Sequence, residues 1–225
     1  MHSEPSPVNP LPPVVWVLFL ALAGVEAAFA LGERGLTGDP TAVGWRLTAI
    51  RDYGFSGDVF DWMLAEGRWP FEYTKRFVTY LFVHGGLTAT VFSAVMLLAL
   101  GKLVGEVMGQ LAVLLLFFVS AIFGAIVFGL LTSEAWLIGA FPGVYGLIGG
   151  YTFLMWVRLG AEGAQQSQAF TFIAFLMGIQ LFFSIFFQTG MDWIADLSGF
   201  VCGFALSLAV VPGAFSRFVA RMRQR

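Results

Sequence analysis

Residues 138–150 read IGAFPGVYGLIGG, and the glycines Gly139, Gly143, Gly146 and Gly150 recur in it at helical spacing. Residues three and four apart lie above one another on a helix, so this pattern leaves one face bare to the backbone. A helix in water rarely tolerates that, because each internal glycine costs about 1 kcal/mol relative to alanine. The bare face therefore calls for a second helix lying very close against it.

The whole chain explains the setting. Its 225 residues are 58% hydrophobic and only 12% charged, with a mean hydropathy of +0.82. Soluble domains carry about 25% charged residues, so the solvent that suits this chain is a lipid bilayer. The length allows one compact helical bundle. A net charge of −2, with no basic run interleaved with aromatics, gives no sign of nucleic-acid binding. Two histidines (His2 and His84) and one cysteine leave no Cys/His set for a metal, and no cofactor is expected. Cys202 lies in an apolar run and reads as a small core residue.

Residues 1–13, MHSEPSPVNPLPP, form a proline-rich polar tail that is expected to be disordered. Hydropathy then predicts six membrane helices within residues 14–212: about Val14–Leu31, Thr74–Leu100, Gly109–Leu131, Ala140–Arg158, Ala169–Gln188 and Trp193–Val211. Pro212 and Gly213 mark a stop, and residues 213–225 are a basic tail. Ala28-Phe29-Ala30 has the spacing of a signal-peptide cleavage site. However, no Lys or Arg precedes the apolar run and Glu26 interrupts it, so an uncleaved span is expected.

Residues 32–73 separate the first two spans and mix Trp45, Arg46, Tyr53, Phe55, Trp62, Trp69 and Phe71 with scattered charges. Aromatics among charges suit a structured segment at the membrane interface rather than a flexible linker. Lys102, Arg158 and the tail residues Arg217, Arg221, Arg223 and Arg225 follow spans two, four and six, whereas the loops at Ser133-Glu134 and Thr189-Gly190 have no Lys or Arg. The positive-inside rule then puts both termini in the cytoplasm. In a bacterial inner membrane, the long first loop would face the periplasm.

Membrane helices associate through small residues that let backbones approach. The sixth span carries such a face in Ala195, Gly199, Gly203 and Ser207, and the expectation is that it packs against the glycines of the fourth. The alternative is that the two faces meet different helices or a second subunit.

Ionisable groups at membrane depth cost about 2.5–3.5 kcal/mol each on insertion scales, so each needs a role. Asp196 adjoins the small face of span six, with Asp192 one turn earlier. His84 falls within the expected second span with Arg76 two turns before it, and Glu26 lies late in the first, where a structural pairing is expected. A serine nucleophile needs a base within hydrogen-bond reach, yet no serine lies between Glu134 and Gln166. A two-aspartate protease needs carboxylates on two facing helices, whereas Asp192 and Asp196 share one.

The segment Gly139-Ala140-Phe141-Pro142-Gly143-Val144-Tyr145-Gly146 resembles the G-x-S-G-x-x-[FY]-[GA] motif of rhomboid intramembrane proteases. Ala195-Asp196-Leu197-Ser198-Gly199 with Gly203 resembles the family's A-H-x-x-G-x-x-x-G. Arg76, Thr79, His84, Gly85 and Gly101 keep the spacing of its W-R through H-G-x-x-x-H-x-x-x-N segment. The likeness covers about residues 70–210 and implies an all-α, six-helix membrane fold with a long first loop.

In that alignment the nucleophile position holds Phe141 and the general-base position Asp196. The second histidine of the family's pair falls at Ala89, the oxyanion-holding asparagine at Ser93, and the tryptophan before Arg76 at Lys75. The resemblance therefore implies a pseudoprotease, with the packing positions kept and the catalytic positions substituted. Asp196 is expected to accept a hydrogen bond from Tyr145, or to be protonated and donate one, in a polar cluster with His84 and Arg76, while Phe141 fills the nucleophile pocket. Pro142 suits the first turn of a helix.

Rhomboid-like proteins without a catalytic dyad bind transmembrane clients, and that is the function the resemblance implies. A client would enter between spans two and five, where Phe170, Phe172, Phe175, Phe182, Phe183, Phe186 and Phe187 offer a bulky surface that lipid contact explains equally well. A serine endopeptidase using non-standard residues is the alternative, Ser198 lacking a base partner. A transporter or channel is disfavoured, because paired broken helices and a charged pathway are missing.

Overall fold

The computed structural model describes residues 10–132, 136–187 and 190–210, the side chains of 181 and 183–187 apart. Outside the described residues lie most of the proline-rich tail (1–9), Ser133-Glu134, Gln188-Thr189 and the basic tail after Val210. The side chains of Phe183, Phe186 and Phe187 lie outside them as well.

The regular elements among the described residues are all helices, with one isolated antiparallel bridge between Phe55 and Leu137. Six helices have 17 residues or more: α1 (Pro13–Glu33), α6 (Leu87–Met108), α7 (Gln110–Leu131), α8 (Phe141–Ala161), α9 (Thr171–Phe187) and α10 (Trp193–Val210). Between α1 and α6 come α2 (Trp45–Tyr53), α3 (Gly57–Glu66) and the single turns α4 (Phe71–Thr74) and α5 (Arg76–Thr79). Four helices, α1, α6, α7 and α10, are long and apolar enough to cross a membrane.

Local chemistry sets the ends of these elements. Pro13 opens α1, where its missing N–H is no loss. The Ser56 hydroxyl caps α3 by accepting the Val59 N–H. Gly109 alone joins α6 to α7 at φ 88, backbone that a side chain rarely adopts.

α8 is the centre of the bundle. Every residue from Pro142 to Gly150 is buried, enclosed by α6, α7 and α10. A helix shielded by protein on all sides needs no lipid-facing apolar stripe, which is why its glycine-rich composition is tolerated. Its glycines do not present one face to one partner. Side chains at Gly143, Gly146 and Gly150 would run into Phe117, Ser120 and Leu116 of α7. The neighbour α10 is met instead at Gly149, and at the backbone of Pro142 and Gly146, on which Gly199 and Gly203 lie. Ala195 turns to α7, its carbonyl 2.6 Å from where a Cβ on Gly124 would stand. Gly139 is not helical at all. It lies before α8 at φ 97, and a Cβ there would sit 3.4 Å from the His84 ring.

The expected second span, Thr74–Leu100, is displaced: the long helix is α6, from Leu87 to Met108. Residues 74–86 instead form short helical turns that end in an extended step at Val83, before the Gly85-Gly86 pair. Hydropathy does not tell burial in protein from burial in lipid. Here Phe77, Tyr80 and Leu81 are buried within the protein, where Phe77 and Tyr80 join Phe55, Phe60 and Phe128 in one aromatic cluster. Arg76 and His84 therefore do not share a helix face.

Candidate functional site

Two buried polar networks flank the start of α8. The first centres on Arg46 of α2, whose two terminal nitrogens clasp Glu26 of α1 at 2.8 and 3.0 Å. Its Nε donates to Glu33 at 2.6 Å, Nη1 also donates to the His84 carbonyl at 2.9 Å, and the guanidinium lies 5.0 Å from the Phe29 ring centroid. Thr90 of α6 donates to Glu26 at 2.8 Å. Hydrogen bonding to Glu26, reinforced by Glu33, holds the Arg46 pKa above its already high ordinary value. This network ties the first loop to α1, α6 and the 83–86 segment.

His84 then ties that segment to α8. Its Nε2 accepts the Ala140 N–H at 3.2 Å and lies 3.0 Å from Ser93 Oγ. Since the amide N–H needs an acceptor, Nε2 keeps its lone pair and the neutral ring carries its proton on Nδ1. The Ser93 hydroxyl is also within 3.0 Å of the Thr90 carbonyl. Both side chains are buried, Ser93 at 0% exposure.

The second network joins three helices. Tyr145 of α8 donates to Gln180 Oε1 at 3.0 Å, and Gln180 Nε2 of α9 donates to Asp196 Oδ2 of α10 at 2.5 Å. Asp196 is 2% exposed, and its Oδ1 has no partner among the described residues. The expected Tyr145–Asp196 contact is thus relayed through an amide. Donation from the tyrosine and acceptance by the carboxylate fix which way that amide points.

The expected four-residue cluster divides. Asp196 and Tyr145 share the Gln180 relay, His84 belongs to the other network, and Arg76 to neither. The Arg76 guanidinium lies 5.3 Å from the Tyr73 ring centroid, with its Nε buried and unpartnered. Lys75 stacks on Tyr53 with Nζ 4.6 Å from the ring centroid. Ala89 is half-buried on the first turn of α6.

A cavity of about 210 Å³ opens beside the second network, lined by Leu137, Ile138, Phe141, Pro142, Gln180, Gly190, Asp192, Trp193 and Asp196. Phe141 forms part of its wall, half-buried, with its ring 6.0 Å from that of Phe92. Among the described residues that line it there is no serine, cysteine or histidine. Its polar groups are two carboxylates and an amide, which bind and orient but supply no nucleophile of the acyl-transfer kind.

Two functional positions escaped sequence reasoning, and both had a signal. A lone carboxylate in the first span, Glu26, required a cation, and Arg46 supplies it. A lone amide in the phenylalanine-rich run, Gln180, required a partner, because an unpaired polar group in an apolar span is costly. The Rhomboid domain profile matches residues 72–213, a stretch that includes α5 to α10. No curated protein matches the chain.

Proposed function

This chain belongs to the rhomboid family, and from that premise we propose that it is a non-proteolytic member, which binds transmembrane client proteins and influences their folding, assembly, trafficking or turnover without cleaving them. The observation that carries this reading is Phe141. It occupies the position where the family motif has its serine, and it lines the cavity together with Asp196, which occupies the base position. A phenyl ring offers no nucleophilic atom. Loss of a single dyad member already removes several orders of magnitude in rate.

The reading includes six membrane spans, with α8 and α9 added to the four helices of sufficient length and hydropathy. Both termini are cytoplasmic in a bacterial inner membrane, and the 32–73 loop rests at the outer interface. Exposed Trp45, Tyr53, Trp62, Trp69 and Phe71 support that placement. The client enters between α6 and α9, which expose Val91, Phe92 and Val95 in the one helix and Phe172, Phe175 and Phe182 in the other.

One observation favours a second reading as a serine endopeptidase, the 3.0 Å approach of Ser93 Oγ to His84 Nε2. Purified protein reconstituted with a fluorogenic transmembrane substrate separates the two. The client-binding reading expects no cleavage, together with crosslinking to membrane proteins in native membranes. Cleavage that disappears in Ser93→Ala would overturn it.

A further inference from the structure

We propose that the cavity between the starts of α8 and α10 receives a primary ammonium group, presented by a lysine in the transmembrane segment of a client. The inference rests on the client-binding reading and names the chemistry by which such a client is recognised.

The starting observation is the unsatisfied oxygen. Asp196 is 2% exposed, lines the cavity, and leaves Oδ1 without a partner among the described residues, while Oδ2 is held by Gln180. A buried polar atom left unpaired is expensive, and more so when it belongs to a carboxylate. A ligand that donates to Oδ1 removes that cost. A second carboxylate, Asp192, lies one turn earlier on the cavity wall, so the field there favours a cation.

The geometry distinguishes among cations. A guanidinium fork seeks both oxygens of a carboxylate, but one edge of Asp196 is already committed to Gln180. An ammonium is a compact charge with three rotatable donors, and one oxygen suffices for it. A metal ion needs several oxygen ligands, and among the described residues no group of three His, Cys, Asp or Glu is placed to hold one. The remaining wall is apolar, formed by Leu137, Ile138, Phe141 and Trp193, and suits the methylene stem of a lysine, which buries its carbons while its head finds a charge. Size fits too: an apolar cavity of about 150 Å³ already takes benzene, and this one measures about 210 Å³.

The origin of the ligand follows from its surroundings. A lysine at membrane depth in a client carries the same insertion cost as Asp196 does here, and each charge relieves the other. A free alkylammonium shares the chemistry, so the test includes it. Full-length protein in lipid nanodiscs is titrated with fluorescent polyleucine helices of about 20 residues. The helices carry, near the outer end, a single lysine, a single arginine or leucine throughout, and hexylammonium serves as the free amine.

The lysine helix is expected to bind at least about tenfold more tightly than the leucine helix, a difference of about 1.4 kcal/mol, and more tightly than the arginine helix. Asp196→Asn should abolish the preference while Asp196→Glu keeps it, with circular dichroism melting confirming that both variants are folded. Equal binding of the lysine and leucine helices overturns the ammonium site and leaves client binding standing. A lysine preference that persists in Asp196→Asn, or an arginine helix that binds as well, also overturns it. If neither peptide binds, the client reading falls. Hexylammonium binding that depends on Asp196 would then keep the site with a free amine as its ligand, and its absence would remove the site as well.

Discussion

Gln180 donates to Asp196 at 2.5 Å and so fastens α9 to α10 at the depth of the cavity. Among its described residues α9 also buries Ile173 and Met177, which lie on the same helical stripe as Gln180. Because the same amide accepts from Tyr145 of α8, one side chain bonds to both neighbouring helices.

Replacing Gln180 by leucine strands the Tyr145 hydroxyl and Asp196 Oδ2 in an apolar environment. Each stranded group costs about 1–3 kcal/mol, and membrane hydrogen bonds sit towards the low end. Gln180→Leu should lower the thermal midpoint in detergent and speed backbone exchange along α9. Adding Asp196→Leu should recover part of the loss, since replacing both partners leaves less unpaired. A double variant no more stable than the single one would show that the relay does not hold α9.

Arg46 and Glu26 form a pair whose side chains are 10% and 6% exposed. Breaking such a pair by removing one partner costs about 3–5 kcal/mol, whereas an apolar replacement of both is often tolerated. Glu26→Leu and Arg46→Leu should each destabilise strongly, and the double variant less than either. The pH dependence has a definite sign. A raised pKa in the fold gives stability that is complete below arginine's already high unfolded value and lost only above it. The folded value of Arg46 is raised, so the pair's contribution should stay constant between pH 7 and about 10. A midpoint that falls across that range in wild type but not in the double variant would contradict this.

Much of the bundle was legible in residue spacing. Helical small-residue runs in the fourth and sixth spans do mark the closest helix contacts, with Gly199 on Pro142 and Gly203 on Gly146. What spacing does not reveal is the number of neighbours. A central helix presents a small residue to each of them, so Gly143 and Gly150 serve α7 while Gly149 serves α10. Gly139 shares the period by coincidence, its role being a positive φ beside His84. The candidate site was legible at Phe141 and Tyr145, which share one motif, and at Asp196, which lies in a second. It was not legible at Gln180 and Arg46, which meet their partners 16 and 20 residues away through tertiary packing alone.

The α8–α10 contact makes a contrasting pair of substitutions informative. A Cβ on Gly203 would stand inside the Gly146 carbonyl, backbone that does not yield, whereas one on Gly178 of α9 meets nothing within 4 Å. Gly203→Ala should cost more than 2 kcal/mol, on the scale of an overpacked core. Gly178→Ala should be neutral or gain up to about 1 kcal/mol from helix propensity. Thermal unfolding of the two variants side by side checks this, and equal midpoints would mean that α8 and α10 are not in backbone contact.

Placing a hydroxyl at position 141 tests whether a nucleophile there would suffice for proteolysis. In Phe141→Ser the new Oγ would face a cavity whose acid–base groups, among the described residues, are Asp192 and Asp196. Asp196 is engaged by Gln180, and the His84 Nε2 lone pair is engaged by the Ala140 N–H. No imidazole is therefore free to take the serine proton, and general-base assistance, worth about 10²–10⁴-fold, is missing. The variant should remain without activity on a fluorogenic transmembrane substrate. It should also lose about 1–3 kcal/mol of stability, less than the 3–5 kcal/mol for a fully buried phenylalanine, because this ring is only half-buried. Turnover by Phe141→Ser that vanishes on adding Asp196→Asn would show that the aspartate acts as a base after all, and that a single side chain separates this protein from a protease.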